Sequence, residues 1–471
     1  MPERPYTYFD FTLSLCPHCL KRVDAKIVFE GENVFMLKRC PEHGKQKVLI
    51  ATEKEYYRNC RNYMKPSEMP LVFNTATHYG CPYDCGLCPD HEQHSCLTLV
   101  EITDRCNLTC PTCYAESSPT HGRHRTLEEV EKMFDAVIRN EGNPDIIQIS
   151  GGEPTIHPQF FEILDMAKTK PVKHLMVNTN GIRIANDEEF VKQLASYMPD
   201  FEIYLQFDSF RADVLKKLRG KDLTEIRKKA IENLNKYNLS TTLVVTLEKN
   251  LNMDEIGEII DYAVKQPCVR GVTFQPTQIA GRLENFNPET DRTTLTEVRR
   301  EILNQTKIFS EKDLIPVPCN PDALVMGYAL KIDGEIFPLT RFIDPDELLD
   351  NSRNTIVYEH DEKLHAHVLD LFSTAHSPTS ATEELKSLLC CLPQIKAPNL
   401  TYNNLFRVII MQFIDAWNFD VRAIKKSCVH IVNDDGKIIP FETMNLFYRQ
   451  QHKNKLDELR KSIPVSSIST T

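Results

Sequence analysis

Residues 98–115 read TLVEITDRCNLTCPTCYA. The apolar run Thr98 to Thr103 carries β-branched residues and predicts a strand. It empties into a loop holding Cys106, Cys110 and Cys113. Three thiolates on one loop can hold three irons of a four-iron cluster. The fourth iron then keeps a position open for a substrate, as a catalytic zinc does.

Downstream, strands and helices alternate. Ile146–Ser150, His174–Thr179, Glu202–Phe207, Thr241–Leu247 and Val272–Gln275 are short, apolar and read as buried strands. Helical patterns lie between them, near 127–139, 159–169, 187–197, 222–236 and 254–265. Thr126 followed by Glu129 makes a capping box at the first helix start. Strand, crossover and strand repeated to six strands predict a parallel sheet with helices outside, an α/β fold. Such folds bind ligands at the carboxyl ends of the strands. Those ends carry Gly151-Gly152-Glu153-Pro154, Asn178-Thr179-Asn180-Gly181, Gln206-Phe207-Asp208-Ser209, and Gln275 with Thr277.

Upstream, Cys16-Pro-His-Cys19 and Cys40-Pro-Glu-His43 flank an alternating segment with a turn at Gly31 to Asn33. This is the layout of a zinc ribbon or a rubredoxin-like site. A tetrahedral metal, zinc or a single iron, would take Cys16, Cys19, Cys40 and either His43 or Cys60. So small a unit needs a metal as a folding staple whether or not it does chemistry. A second CxxxCxxC follows, Cys81, Cys85 and Cys88, with Cys96 close behind. Four thiolates there would close an auxiliary cluster with no open iron; a zinc knuckle is the alternative. No strand precedes Cys81, so the later motif is read as the one with the open iron.

Beyond residue 300 the pattern loosens. Residues 296–310 read as helix, and the runs 329–332 and 336–339 form a hairpin through Asp333-Gly334. Residues 350–403 are polar, with a Ser/Thr/Pro loop at 372–382, and adjacent Cys390 and Cys391 read as buried or free thiols. The apolar stretch 404–417 suits a core helix, a tunnel wall or an interfacial anchor giving peripheral membrane contact. Cys428-Val-His430 precedes a second Asp-Gly hairpin, and the Ser/Thr-rich tail 462–471 is expected to be disordered. The expected division is a metal-binding ribbon at 1–75, a cluster segment at 76–97, a barrel at 98–300 and a C-terminal substrate or auxiliary domain at 301–461.

The 471-residue chain is 41% hydrophobic and 26% charged, as soluble globular proteins are. Its formal net charge of −10 argues against a nucleic-acid partner and gives no attraction to anionic lipids. Eleven of the 16 cysteines precede residue 114, in spacings that suit metal sites better than disulfides. Without an apolar N-terminal signal or a run of about 18 apolar residues, a reducing, cytoplasmic setting is expected.

CxxxCxxC after a strand, followed at the next strand end by GGEP, resembles the radical S-adenosylmethionine (SAM) enzymes. The resemblance implies a partial (βα)6 barrel, a SAM-binding [4Fe-4S] cluster on Cys106, Cys110 and Cys113, and reductive cleavage of SAM to a 5′-deoxyadenosyl radical. It implies an electron donor such as ferredoxin or flavodoxin. By family position Tyr114, Gly151, Gly152, Glu153, Asn178, Asn180, Asp208 and Gln275 would contact SAM, with Asp208 at the ribose hydroxyls. The usual motif has an aromatic before the third cysteine; here Thr112 stands there and Tyr114 follows.

The knuckle pair, then GCPYDCGLCPDH, then the SAM motif, resembles the tetraether lipid synthases, a layout also labelled dihydro-hydroxymethylpterin dimethyltransferase. That resemblance implies auxiliary [4Fe-4S] clusters and a mononuclear iron, with Cys319 and Cys428 serving a third cluster. Ala323, Leu324 and Glu442 stand where further cysteines are expected. Either Cys268, Cys390 or Cys391 stands in for them, or that cluster is absent. The leading expectation is hydrogen abstraction and carbon–carbon bond formation on a long apolar lipid. Such C–H bonds lie beyond acid–base side chains and need a radical cofactor. The alternatives are radical methylation of a pterin-like small molecule using two SAM per turnover, a peptide-modifying maturase, and a non-catalytic metal-binding protein. Anaerobic assays of 5′-deoxyadenosine should find cleavage abolished in Cys110→Ala and largely kept, though uncoupled, in Cys85→Ala. Loss in the Cys85 variant alone would reverse the two assignments.

Overall fold

Four antiparallel strands, β1 (Thr7–Leu15), β2 (Arg22–Glu30), β3 (Asn33–Cys40) and β4 (Gly44–Ala51), make a ribbon sheet in the order β1-β2-β3-β4. Ala25, Ile27, Val34, Met36, Val48 and Ala51 form its small buried core. The structure is a computed structural model and describes residues 4–65, 68–332, 335–341, 344–345 and 404–463. The expectations for Cys390, Cys391, the 372–382 loop, the Asp333-Gly334 turn and the tail from 464 lie outside these residues.

The rest is built on one large sheet. Its strands are β5 (Leu97–Thr103), β7 (Ile146–Gly151), β8 (His174–Thr179), β9 (Phe201–Gln206), β10 (Thr241–Leu247) and β11 (Val269–Pro276), paired in parallel in that order. The short strands β6 (Thr112–Cys113) and β12 (Arg282–Leu283) pair apart from it. Helices Leu127–Glu141, Phe160–Lys168, Glu188–Ala195, Thr224–Lys236 and Ile256–Lys265 fill the crossovers. The capping box at Thr126 and Glu129 forms as the sequence indicates. An N-terminal ribbon is thus fused to a partial α/β barrel.

These strands are buried on both faces, which explains their nearly unbroken apolar runs. Ile147, Ile149, Leu175, Val177, Ile203, Leu205, Leu243 and Val245 belong to the core shared with the helices. Their alternates Ile146, Met176, Tyr204 and Val244 pack in a second core, inside the arc. Period-two alternation therefore separates an outer apolar face from an inner one.

The C-terminal extension completes the arc on both edges. The stretch 404–417 is not a helix. It forms β16 (Leu405–Met411), parallel to β11 and antiparallel to β14 (Leu324–Ile332). Phe406, Val408 and Ile410 face the outer core, and the β-branched run prefers a pleated surface over a helix. β14 also pairs with β13 (Ile315–Pro316) and β15 (Glu335–Pro338). On the opposite edge β17 (Val429–Val432) runs parallel to β5 and turns back as β18 (Ile438–Pro440).

Inside the arc, Arg407 of β16 reaches across to Glu202 of β9 at 2.8 and 2.6 Å, with His174 Nε2 3.4 Å away. Burial alone would raise the Glu202 carboxyl, but Arg407, His174 and Thr242 overcome it and hold it below its usual 4.5. A carboxylate so depressed stabilises the fold above 4.5 and loses that contribution as pH falls below it. Arg407→Met would strand a buried charge at a cost of about 3–5 kcal/mol. Urea unfolding at neutral pH should show that loss, and wild-type stability should fall steeply on acidification below 4.5.

Candidate active site

The strand ends are set by a close crossing of two chain segments. Gly152 N–H donates to Thr103 O at 2.8 Å, and Glu153 N–H to Arg105 O at 2.9 Å. A Cβ on Gly151, whose φ is +125°, would lie 2.1 Å from Thr103 O; one on Gly152 would lie 2.2 Å from Arg105 O. The glycines are required first by this contact, backbone on backbone. The crossing brings the cysteine loop beside GGEP.

A second segment holds the loop from the other side. β12 pairs Arg282 with Cys113 and Leu283 with Thr112. Arg282 donates to Cys110 O at 2.6 Å and Ser117 O at 2.8 Å. Nothing in the local sequence marks Arg282, because its partners are about 170 residues away.

Cys106, Cys110, Cys113, Tyr114, Gly151, Gly152, Glu153, Asn178, Asn180 and Gln275 all line one cavity of about 180 Å³. The Glu153 carboxylate is buried and accepts four hydrogen bonds, from Thr155 N and Oγ1, Thr179 Oγ1 and Asn180 N. It ties β7 to the turn after β8. Asn180 Nδ2 reaches Asn107 Oδ1 in the cysteine loop at 2.6 Å. Tyr114 packs on Phe441, ring centroids 4.9 Å apart, under the Arg449 guanidinium, which grips Glu101 with two bonds of 2.8 Å.

Asp208 is placed otherwise than expected. It is fully buried, sits at φ +67°, and is outside the cavity lining. Arg219 Nε and NH2 bond it at 2.8 and 2.6 Å, so its oxygens serve an ion pair and are not offered to ribose hydroxyls. Burial would raise its carboxyl, but Arg219 and Arg227 hold it below the usual range. Arg219 is the residue that sequence reading missed. It lines the cavity and also bonds Gln206 and Thr246 at 3.0 and 2.9 Å. Its positive charge opposes the rise that burial imposes on the Cys110 thiol.

The donor set fits a four-iron cluster. Among the described residues, two groups of three or more ligand atoms lie within 4.8 Å of one another, and Cys106, Cys110 and Cys113 are not one of them. Their sulfurs are too spread for a single ion, and all three face the cavity beside the half-buried Arg219 guanidinium. Soft thiolates near a cation suit an anionic iron–sulfur cluster.

The ribbon site gathers Cys16, Cys19, Cys40 and His43. Cys19 and Cys40 sulfurs are 3.8 Å apart, and His43 Nδ1 lies 3.6 and 3.5 Å from Cys16 and Cys40. Cys60 is not gathered with them: it is buried and donates to Tyr57 O at 3.2 Å. Cys81, Cys85 and Cys88 stay in their own loop, where Thr443 Oγ1 donates to Cys85 at 3.0 Å. Cys96 does not join them. It lies with Cys319 and Cys428. The cause is the path of residues 91–97, which run along 425–428: Glu92 N to Lys425 O is 2.6 Å, and Leu97 N to Cys428 O is 3.1 Å.

Residues 100–263 match the radical SAM superfamily, and residues 8–52 match the HMPTM N-terminal zinc ribbon domain. The 7,8-dihydro-6-hydroxymethylpterin dimethyltransferase of Methanocaldococcus jannaschii is 31% identical over 96% of both chains. The mycofactocin maturase MftC of Mycolicibacterium smegmatis is 29% identical over 38% of this chain and 44% of its own. The FeFe-hydrogenase maturase HydG of Carboxydothermus hydrogenoformans is 15% identical with a TM-score of 0.36, covering 45% of this chain and 53% of its own.

The crossing yields a sharp expectation. Gly152→Ala must push the GGEP segment off Arg105 by an ångström or so, a displacement that costs about a hundredfold in rate. Assays of 5′-deoxyadenosine should show that drop, while ribbon metal content stays unchanged.

Proposed function

This chain belongs to the radical SAM family of that pterin dimethyltransferase, and from that premise we propose that it methylates a small planar heteroaromatic of the dihydropterin kind. As a radical SAM enzyme it cleaves SAM reductively and takes hydrogen from a carbon. When bound, the cluster and SAM supply the electron and the radical; the residues of the chain hold, orient and shield.

The observation that carries the reading is the composition of the cavity. One wall is aromatic: Phe413 and Phe441 lie 4.0 Å apart between centroids, with Tyr114 against Phe441. Across the inner face run the amides of Gln148, Asn178, Gln206 and Gln275, all lining the cavity. They are held in place by their neighbours. Gln206 Nε2 donates to Asn178 Oδ1 at 2.9 Å, and Gln275 Nε2 to the Tyr204 hydroxyl at 3.1 Å. An aromatic wall facing fixed amides suits a flat ring with donors and acceptors on its edge. A long acyl chain needs a continuous apolar channel, and among the described residues the amides interrupt the lining. The lipid-coupling reading that the sequence put first therefore yields to its alternative. Reducing equivalents would come from a small low-potential carrier such as ferredoxin or flavodoxin.

The test is anaerobic turnover of the reconstituted chain with SAM, reductant and 7,8-dihydro-6-hydroxymethylpterin, followed by mass spectrometry. Products heavier by one and then two methyl groups are expected, with SAM consumed by both methyl donation and reductive cleavage. Gln148→Leu should lower kcat/KM about tenfold through a lost hydrogen bond. Coupling of long-chain lipids with no methylated pterin would refute the reading.

A further inference from the structure

The outer face of the ribbon sheet mixes exposed apolar and cationic side chains. Pleating sends Ala25, Ile27, Val34, Met36 and Val48 into the ribbon core, so the residues between them point the other way. Two cross-strand rows stand on that outer face. In one, Phe11 pairs with Lys26, Lys26 with Leu37, and Leu37 with Lys47. In the other, Leu13 pairs with Asp24, and Arg39 with Lys45. Tyr8, Phe11 and Leu13 are 54%, 46% and 38% exposed. Grouped apolar side chains rimmed by charge mark an interaction surface.

Charge is divided along the chain. Residues 1–65 hold 12 Lys and Arg against 8 Asp and Glu, a net +4, and residues 66–471 hold 44 against 58, a net −14. On the outer face Lys26, Arg39, Lys45 and Lys47 outnumber Asp24 and Glu30, the latter bound to Lys47 at 2.5 Å. A few cations around an apolar centre suit an acidic protein, which they also steer to the face. Nucleic acid calls for a far more basic surface and makes no use of Leu13 and Leu37. A second copy would bring its acidic body to this ribbon, a head-to-tail contact that does not close.

The face ends beside the second cysteine loop. Arg22, at the start of β2, donates to Cys81 O at 3.3 Å. The Tyr83 hydroxyl donates to Leu20 O at 2.8 Å and accepts from Arg22 N–H at 2.9 Å. From that loop Cys85 N–H donates to the Tyr448 hydroxyl at 2.7 Å, and the next residue, Arg449, lies over the Tyr114 ring of the cavity. The face and the cavity are thus joined through residues 81–85 and 448–449.

Reductive cleavage of SAM consumes an electron that side chains do not supply. We propose that the outer ribbon face is the docking surface for a small acidic electron-carrier protein. The carrier's flavin or iron–sulfur group is oxidised by one electron for each SAM cleaved. That electron breaks the C–S bond and leaves methionine and the 5′-deoxyadenosyl radical. This inference rests on the radical SAM class of the chain and not on the pterin reading.

The reconstituted full-length chain is assayed for 5′-deoxyadenosine with SAM and without pterin, reduced either by dithionite or by an acidic flavodoxin kept reduced by its reductase. Lys26→Glu/Lys45→Glu should raise the KM for flavodoxin at least about tenfold at low salt, with the dithionite rate and the ribbon metal unchanged. That difference should shrink at about 1 M salt, where the screening length is about 3 Å. Phe11→Ser should raise the same KM at both salt concentrations. In the unaltered chain, carbodiimide should link flavodoxin carboxylates to Lys26, Lys45 or Lys47, a readout that serves where a variant does not fold. An unchanged KM in the double variant, an equal loss with both reductants, or links confined to lysines outside the ribbon would overturn the proposal. So would binding of single-stranded RNA to the face in place of flavodoxin, or a dimer that the double variant dissociates.

Discussion

Where residues 151–153 lie on residues 103–105, two backbones touch without side chains between them, and the active site depends on that contact. A Cβ on either glycine would enter the space of a carbonyl oxygen. Glycine is thus the residue that permits adjacent strand-end loops to hydrogen-bond to each other instead of diverging into solvent. Once they are joined, the cysteine loop can move only with β7. The 281–283 segment closes the opposite side, where a Cβ on Gly281 would lie 2.5 Å from Cys113 O. The loop that carries the three sulfurs is thereby held at the barrel mouth from both sides, which lowers the entropy that binding a cluster would cost.

The inner face of the arc grades from one end to the other. Toward the strand starts it is plugged by Glu202, Thr242 and Arg407. A girdle of Leu97, Leu99, Met176, Tyr204 and Val244 follows. At the mouth stand Asn178, Gln206, Thr246 and Gln275, with Gln148 deeper, level with Leu99 and Met176. Each layer has a separate physical cause. Arg407 and Glu202 tie β16 to β9, strands that share no ladder, the girdle buries apolar area, and the amides remain where a ligand can satisfy them. Polar residues at inward positions near strand ends therefore mark the ligand, while those at strand starts mark the closure of the arc.

Local pattern made much of this legible. The six strands, their crossover helices, the ribbon knuckles and the SAM motif all rest on periodicity or spacing within about 30 residues. What escaped depends on which side chains the fold brings together. By spacing Cys96, eight residues after Cys88, suits the place of a fourth ligand, yet the chain between them follows 425–428. Asp208 occupies a strand end where a carboxylate suits ribose, yet Arg219, eleven residues on, claims both oxygens. The run 404–417 has apolar content fit for a helix, and only its place between β11 and β14 settles it as a strand. Spacing shows which residues are able to ligate, but topology decides which of them meet.

The ribbon bears on the cavity through the segment after β16. Buried Lys38 donates to Leu15 O, Ala416 O and Trp417 O, so its ammonium joins the ribbon to residues 416–417. Thr12 Oγ1 bonds Asp420 Oδ1 at 2.6 Å on the same side. Asp415, just before that contact, accepts from Arg292 and from Ile279 N–H, and Phe413 beyond it forms part of the aromatic wall. A metal that folds the ribbon therefore sets the platform on which 413–420 rests, and this segment in turn sets one wall of the cavity and the 278–283 clamp over the cysteine loop. Three thiolates and an imidazole would fill a tetrahedral shell and leave a metal there no open position for chemistry of its own. Its influence on the site would run through position alone, along a chain of buried hydrogen bonds whose loss would loosen the wall while leaving the SAM motif intact.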